Sequence, residues 1–147
     1  MIRLPTPDAT AEAGAGLARL LRPGDAVALF GDLGAGKTTL ARGLLHALDF
    51  EGEVPSPTFP IVIPYAPPEL AIPLWHVDLY RIEDPRELEE LGLDEARSDS
   101  ALLIEWPERM GSMLWPDALK LHIERDGDAR RLTWQVPTAW EGRWPPR

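Results

Sequence analysis

A stretch of nine residues after a short apolar run constrains the fold more than any other part of the chain. Gly31 is followed by four residues and then by Gly36, Lys37 and Thr38, which is the complete spacing of a phosphate-binding loop, or P-loop. The apolar residues 26–30 before it predict a buried strand, and the residues after it predict a helix that begins near Lys37. A strand, a glycine-rich loop and a helix in this order predict a nucleotide site.

Each residue type in this stretch suits contact with phosphate. Glycine allows the backbone to point successive N–H groups at phosphate oxygens, and it carries no side chain to obstruct them. The positive end of the following helix lies at the same place. Lys37 supplies a full charge to the outer phosphates, and the Thr38 hydroxyl is placed to ligate Mg²⁺. The residues predicted to bind the nucleotide are Gly31, Asp32, Leu33, Gly34, Ala35, Gly36, Lys37, Thr38 and Thr39.

Length and segment order predict one domain with a tail. The chain has 147 residues, which suits a single domain. We assign residues 1–137 to that domain, and residues 119–124 and 131–136 predict an antiparallel hairpin at its end. Residues 138–147 are rich in proline and tryptophan, and we expect this tail to be poorly ordered.

Composition excludes several classes of function. The absence of cysteine excludes disulfides, thiolate metal sites and cysteine nucleophiles, and it agrees with a reducing, cytoplasmic location. No apolar run approaches the ~18 residues of a membrane span, so no membrane association is expected. The net charge of -9 is unfavourable for binding nucleic acid directly, because contacts to phosphate supply much of that affinity. If RNA is involved, partner proteins are expected to hold it.

Two carboxylates are candidates for the chemistry that a P-loop alone does not supply. Hydrolysis needs an acid near the metal ion and the attacking water, usually at the end of a neighbouring strand. Glu105 ends the apolar run 102–104, which is the pattern of a Walker B strand. Asp78 lies in the alternating run 74–80, which predicts another strand. We therefore predict that Lys37, Asp78 and Glu105 are the catalytic residues.

Four further residues have both a functional and an ordinary structural interpretation. His76 alone is more often a structural histidine than a catalyst, and Arg81 alone is most often a surface charge. Thr58 begins a predicted strand over residues 58–63, but it could also contact the metal or the γ-phosphate from a mobile loop. Trp106 directly follows the Walker B carboxylate and could serve packing, a partner surface or a nucleotide-dependent rearrangement.

Four segments occur in one order with compatible spacing, and together they are far more specific than the P-loop alone. They are residues 31–39, Ser56-Pro57-Thr58-Phe59, His76-Val77-Asp78-Leu79-Tyr80-Arg81 and Leu103-Ile104-Glu105-Trp106-Pro107-Glu108. This set resembles the TsaE (YjeE) family of small bacterial ATPases, which are required for threonylcarbamoyladenosine modification of tRNA. The resemblance covers about residues 4–136. It implies an α/β, P-loop NTPase-like three-layer fold with a central, mostly parallel sheet.

The resemblance also implies ligands and partners. ATP and Mg²⁺ are the expected ligands, with weak ATPase activity for the isolated protein. The expected partners are the TsaD and TsaB proteins, which transfer threonylcarbamoyl to adenosine 37 of tRNAs that read codons starting with A. Contact with tRNA is expected only through that complex, and the ATPase is expected to reset the transferase between turnovers.

Several roles carry over position by position from the family. Thr38 and Glu105 match the Mg²⁺ ligands, and Asp78 matches an acid of the family motif, to which we assign the positioning of water or metal. Thr58 matches a switch-like threonine, and we group His76, Arg81 and Trp106 with it. The residues that fall where the family contacts the base and ribose are Asp8, Thr10 and Arg130.

Other classes of P-loop protein remain as alternatives. A small-molecule kinase is the first of them, although no arginine-rich lid stands out in the sequence. A GTPase is disfavoured because guanine is commonly read by an Asn-Lys-x-Asp loop, and the chain contains no asparagine. A scaffold that binds ATP without hydrolysing it shares every motif with the ATPase, so the sequence does not separate these two.

Overall fold

Helices and strands alternate around the predicted phosphate loop. The computed structural model describes residues 1–32, 34–55 and 61–146, and over these ranges it contains seven strands and four α-helices. The strands are β1 (Ile2–Leu4), β2 (Ala26–Phe30), β3 (Val62–Tyr65), β4 (Leu74–Asp78), β5 (Ala101–Glu105), β6 (Leu119–Asp126) and β7 (Ala129–Gln135). The helices are α1 (Pro7–Ala18), α2 (Lys37–Ala47), α3 (Pro85–Leu91) and α4 (Leu93–Ala96), and Pro107–Met113 and Thr138–Trp140 are 3₁₀ segments.

All seven strands form one sheet in the order β1-β7-β6-β2-β5-β4-β3. The central strands β6, β2, β5 and β4 are parallel to their neighbours within that group, whereas the outer pairs β1–β7, β6–β7 and β3–β4 are antiparallel. The prediction of a central, mostly parallel sheet with a C-terminal hairpin is confirmed. The hairpin strand β6 also extends the parallel part of the sheet, because it pairs directly with β2.

Local sequence signals explain where two of the helices begin. The side chain of Thr6 accepts a hydrogen bond from the N–H of Ala9 at 3.1 Å, and Pro7 opens α1. Asp84 forms a capping box with Glu87 at the start of α3. The Asp84 side chain accepts a hydrogen bond from the backbone N–H of Glu87, and the Glu87 side chain accepts one from the backbone N–H of Asp84. The sequence predicts both caps, because Thr6 and Asp84 are N-cap residue types and each precedes a proline that suits the first position of a helix.

The sheet separates two hydrophobic clusters, which makes the fold three-layered. On one face, α1 and α2 cover residues such as Leu29 and Leu103. On the other face, α3, α4 and the first 3₁₀ segment cover residues such as Leu102 and Ile104. Leu102 and Leu103 lie on opposite faces because side chains alternate along a strand.

Two glycines allow α1 and α2 to approach each other closely. A Cβ atom on Gly14 of α1 would overlap the backbone oxygen of Leu40, and a Cβ atom on Gly43 of α2 would overlap that of Ala11. The backbones are therefore in direct contact at two points. Since α2 begins at the phosphate loop, this contact fixes the helix that carries the loop against the rest of the domain.

The C-terminal segment is packed, so the prediction of a poorly ordered tail is wrong over residues 138–146. Trp140 and Trp144 are 1% and 5% exposed and belong to the cluster on the α1–α2 face. Arg143 bonds both carboxylate oxygens of Asp25, at 2.6 and 3.2 Å, and also donates to the backbone oxygen of Leu20. The tryptophans that marked the tail as unusual are the residues that attach it.

Other differences from the sequence predictions are small. β1 was not predicted, because three residues give too short a pattern, and it forms by pairing with β7. The strand predicted over 58–63 is β3, at 62–65 and at the edge of the sheet, while residues 56–60 lie outside the described ranges. None of the helices in the described part of the chain is long and apolar enough to cross a membrane.

Gly14→Ala is expected to lower the free energy of unfolding by roughly 2 kcal/mol, because the added methyl group must push two helix backbones apart. Gly16→Ala in the same helix is the matched control. Its Cβ would meet only a side-chain atom of Pro146, at 3.4 Å, and the gain in helix propensity should offset that contact. Urea unfolding of both variants measures the difference, and equal effects would contradict the close helix contact.

Candidate nucleotide-binding site

The predicted phosphate loop connects the end of β2 to the start of α2. Gly34 and Gly36 have φ angles of 77° and 112°, which is the left-handed region that favours glycine. Gly36 is the N-cap of α2 and provides no capping side chain, so the N–H groups of the first turn have no side-chain partner at that position. A helix start of this kind suits an anion.

Lys37 is a buried cation at the start of α2. It is 5% exposed, and its Nζ makes no hydrogen bond within the described residues. The ammonium lies 4.0 Å from the centroid of the Trp106 ring, which is a cation–π contact. Burial lowers the pKa of Lys37 from its usual 10.5, and the nearby carboxylates of Glu105 and Asp78 oppose that shift.

Two carboxylates lie at the same edge of the sheet as the loop. Asp78 and Glu105 are the last residues of β4 and β5, and they are direct register partners across the two strands. Each is 5% exposed. β2 is the other neighbour of β5, and it pairs Leu29 with Glu105. The structure therefore brings together Lys37, Asp78 and Glu105, the three residues predicted to be catalytic.

Glu105 is fixed by His76. The Nε2–H of His76 donates to Oε2 of Glu105 at 2.6 Å, and both side chains are almost fully buried. The second ring nitrogen of His76, Nδ1, has no hydrogen-bond partner within the described residues. The sequence analysis groups His76 with the switch-like residues. In the structure, His76 is a buried residue of β4 and contacts the carboxylate of Glu105, the predicted Walker B residue, directly.

Trp106 and Tyr80 form an aromatic pair beside Lys37. Trp106 follows β5 in a left-handed conformation, with φ at 56°. Its ring lies over Lys37 on one side and 4.9 Å from the ring of Tyr80, which is 41% exposed. The guanidinium of Arg109 lies 5.9 Å from the Tyr80 ring. Arg81 is exposed at the next position.

The remaining predicted residues lie in different surroundings. Thr38 is exposed and Thr39 is half-buried in the first turn of α2, and Asp32 is exposed in the loop. Leu33 and Thr58 lie outside the described residues. The described residues contain no group of three or more His, Cys, Asp or Glu side chains able to hold a metal ion by themselves.

A small cleft joins the first helix, the loop and the hairpin. Its volume is about 60 Å³, and its lining includes Thr10, Gly36, Thr39 and Arg130. Arg130 donates to the backbone oxygen of Gly34 at 3.3 Å. Thr10 and Arg130 are thus brought to the loop, whereas Asp8 is exposed in the first turn of α1 and does not line this cleft.

Sequence reasoning missed a second arginine on the loop. Arg125 is the register partner of Arg130 across the hairpin strands. A Cβ atom on Gly34 would overlap the guanidinium of Arg125. Arg125 also lines a larger cavity of about 660 Å³ beside the loop, together with Asp32 and Glu108. The register of the hairpin is the signal that could have found it, because cross-strand partners share a face of the sheet.

The match to a known family covers most of the chain. Residues 4–133 match the family model described as "Threonylcarbamoyl adenosine biosynthesis protein TsaE". The chain belongs to the TsaE family. The resemblance that the four sequence segments indicate is confirmed, and this family takes part in tRNA threonylcarbamoyladenosine biosynthesis.

Individual TsaE proteins agree with this assignment. The tRNA threonylcarbamoyladenosine biosynthesis protein TsaE of Streptomyces coelicolor is 50% identical over 117 residues, which cover 78% of each chain. That of Bacillus subtilis is 42% identical over 115 residues, 78% of this chain and 70% of the relative. The crystal structure of Bacillus subtilis YdiB matches with a TM-score of 0.81 at 32% identity, over 96% of this chain and 88% of that one.

Lys37→Met is expected to raise the free energy of unfolding of the nucleotide-free protein by about 1 kcal/mol, because it replaces a buried charge, with no hydrogen bond to the described residues, by an apolar chain of similar length. Lys120→Met, at the other lysine of the sequence, is the control and should give no such gain. Urea unfolding without nucleotide measures both variants.

The difference in stability between Lys37→Met and the wild type is expected to depend on pH. The unfolded chain holds the Lys37 proton up to its ordinary pKa of 10.5, whereas the folded chain releases it at a lower pH. The free energy of unfolding therefore rises with pH between the lowered pKa of the folded state and 10.5, because the unfolded state binds more protons in that window. The gap between Lys37→Met and the wild type should narrow as pH rises through that window, and a constant gap would contradict the lowered pKa.

Proposed function

We propose that this TsaE protein is a Mg²⁺-dependent ATPase that supports turnover of the TsaD–TsaB transferase in threonylcarbamoylation of adenosine 37 of tRNA. The observation that carries the proposal is the buried ammonium of Lys37, which lies near carboxylates at the end of a complete P-loop and makes no hydrogen bond to any residue that the structure describes. A desolvated cation of this kind is stabilised by an anion that can reach it, and the outer phosphates of ATP are such an anion.

The phosphate contacts follow from the loop. The N–H groups of residues 34–39 and the Lys37 ammonium would hold the β- and γ-phosphates, because the left-handed glycines and the start of α2 present donors to one place. Thr10 and Arg130 would contact the ribose and base from the small cleft beside the loop. These groups bind and orient the substrate, which is the main task in phosphoryl transfer.

Thr38 and Glu105 would hold Mg²⁺, directly or through water. Two protein ligands suit this ion, which keeps several waters and usually completes its shell with substrate phosphates. The bound ion would neutralise charge that develops on the transferred phosphoryl group. His76 keeps the Glu105 carboxylate in one orientation through the 2.6 Å hydrogen bond.

Asp78 is the candidate for orienting the attacking water. Its Oδ1 accepts a hydrogen bond from the backbone N–H of Tyr80 at 2.9 Å, which fixes the carboxylate beside Glu105. A site of this composition would turn over slowly by itself, since an arginine at the γ-phosphate contributes 10³–10⁵ in rate in other P-loop enzymes. Arg81 is the candidate for that arginine within the chain, and the transferase is the other source.

A small-molecule kinase is the second candidate. The cavity of about 660 Å³ beside the loop favours it, because an acceptor substrate would need space next to the γ-phosphate. Its lining includes Asp32, Glu108 and Arg125. Transfer of the γ-phosphate of ATP to an acceptor in a substrate screen would support the kinase, whereas release of free phosphate alone supports the ATPase.

Lys37→Ala is expected to weaken ATP binding about tenfold or more, because one charge-assisted contact to phosphate is lost. Glu105→Gln keeps an acceptor for His76 but removes the charge for the metal, so it should leave ATP affinity nearly unchanged and lower Mg²⁺-dependent phosphate release roughly a hundredfold. Calorimetry with ATP and a phosphate-release assay measure the two effects, with the exposed substitution Arg131→Ala as control. Unchanged affinity in Lys37→Ala would contradict the phosphate role.

The decisive experiment is multi-turnover threonylcarbamoylation of tRNA by the cognate TsaD–TsaB pair with and without this protein, ATP and Mg²⁺. Dependence on this chain that fails with Glu105→Gln would support the proposed function and its metal site. A non-hydrolysable ATP analogue that sustains repeated cycles would instead favour a scaffold role. Modification that proceeds equally well without the chain would overturn the proposal.

A further inference from the structure

A cleft with both apolar and acidic side chains in its lining opens on the face of the sheet that α3 and α4 cover. It lies between these helices and the first 3₁₀ segment, and its volume is about 160 Å³. Met113 at its edge is 40% exposed, so part of its apolar side chain is accessible from solvent. We name it the methionine cleft; its apolar lining is Leu88, Leu93, Met110, Met113 and Trp115.

The rim of the methionine cleft is acidic. Glu89, Asp94 and Glu95 also line it, together with Gly92. Residues 83–99 contain eight carboxylates and two arginines. Both arginines are already paired with carboxylates, Arg86 with Asp84 at 3.0 Å and Arg97 with Asp117 at 2.8 Å. The surface around the cleft therefore has a strong negative charge.

The methionine cleft is connected to the candidate nucleotide site by one short segment. The 3₁₀ segment Pro107–Met113 begins two residues after Glu105, and Trp106 between them lies over the Lys37 ammonium. Met110 of the same segment packs into the cluster that contains Ile104 of β5. The chain therefore runs directly from the residue over Lys37 to two residues of the cleft, Met110 and Met113.

We propose that the methionine cleft binds a basic, amphipathic segment of the transferase complex. This inference rests on the proposed function, which supplies that partner. Apolar side chains of the segment would enter the cleft, where methionines adapt to different shapes, while lysines and arginines beside them would face the acidic rim. The same charge repels the phosphates of tRNA, so a protein segment and not RNA is the occupant.

The test compares binding of the cognate TsaD–TsaB complex to full-length variants by fluorescence anisotropy, at low and high salt. Glu89→Lys combined with Glu95→Lys reverses two exposed charges on the rim, and Met113→Gln removes apolar character with little change in size. The control is Glu12→Lys combined with Glu141→Lys, which reverses two exposed charges on the opposite, α1-side face. ATP affinity and a thermal melt of every variant confirm that each is folded.

The rim variant is expected to bind roughly tenfold more weakly and to lose most of the salt dependence, since two attractive charges become repulsive. Met113→Gln should weaken binding about threefold with the salt dependence retained, and the control should stay near wild type. If the rim and Met113 variants bind like wild type, the methionine cleft is not the docking site, although the proposed function stands. If wild type itself fails to bind TsaD–TsaB, the partner of the proposed function is wrong and this inference falls with it.

Discussion

Parallel pairing of β2 between β5 and β6 is the constraint on which the site depends. Because neighbouring parallel strands end at the same edge of a sheet, the loop after β2 lies beside the last residues of β5 and β4. Leu29 near the end of β2 is the register partner of Glu105, and Glu105 is the register partner of Asp78. The two carboxylates therefore lie side by side on the strands next to the loop. On the other side, β6 brings the arginines of the hairpin over Gly34. The positions of these side chains therefore follow from strand order.

Burial of Lys37 shows how stability and binding are opposed in this arrangement. An ammonium removed from water costs free energy unless hydrogen bonds or charges compensate it. Here the compensation is partial: a tryptophan ring lies over the charge and carboxylates lie near it, but none of the described residues forms a hydrogen bond with Nζ. The free energy that burial of this ammonium costs would be recovered when an anionic ligand binds to it. Functional sites commonly lower the stability of the folded state in this way.

The sequence predicts the parts of this fold that depend on local pattern. The P-loop, the caps at Thr6 and Asp84, and the acids at the ends of β4 and β5 are each recognisable within about ten residues, and the structure contains them where they are predicted. Features that depend on distant partners were missed. The hydrogen bond from His76 to Glu105 joins residues 29 apart, and Arg125 reaches the loop only through the register of the hairpin. The tail was misread because its tryptophans are buried by residues far away in sequence, which composition cannot reveal.

The order of strands also has a consequence for how the chain is made. The strand before the phosphate loop acquires its β6 neighbour only after residues 119–126 exist, and Asp25 just before that strand is bonded by Arg143. β1, at the N-terminal end of the described chain, has no pairing strand until β7 has been translated. During synthesis on a ribosome, the loop is therefore translated long before the contacts that brace it. A nascent chain has an unpaired strand edge at β2 through most of its translation, and unpaired edges are where chains aggregate.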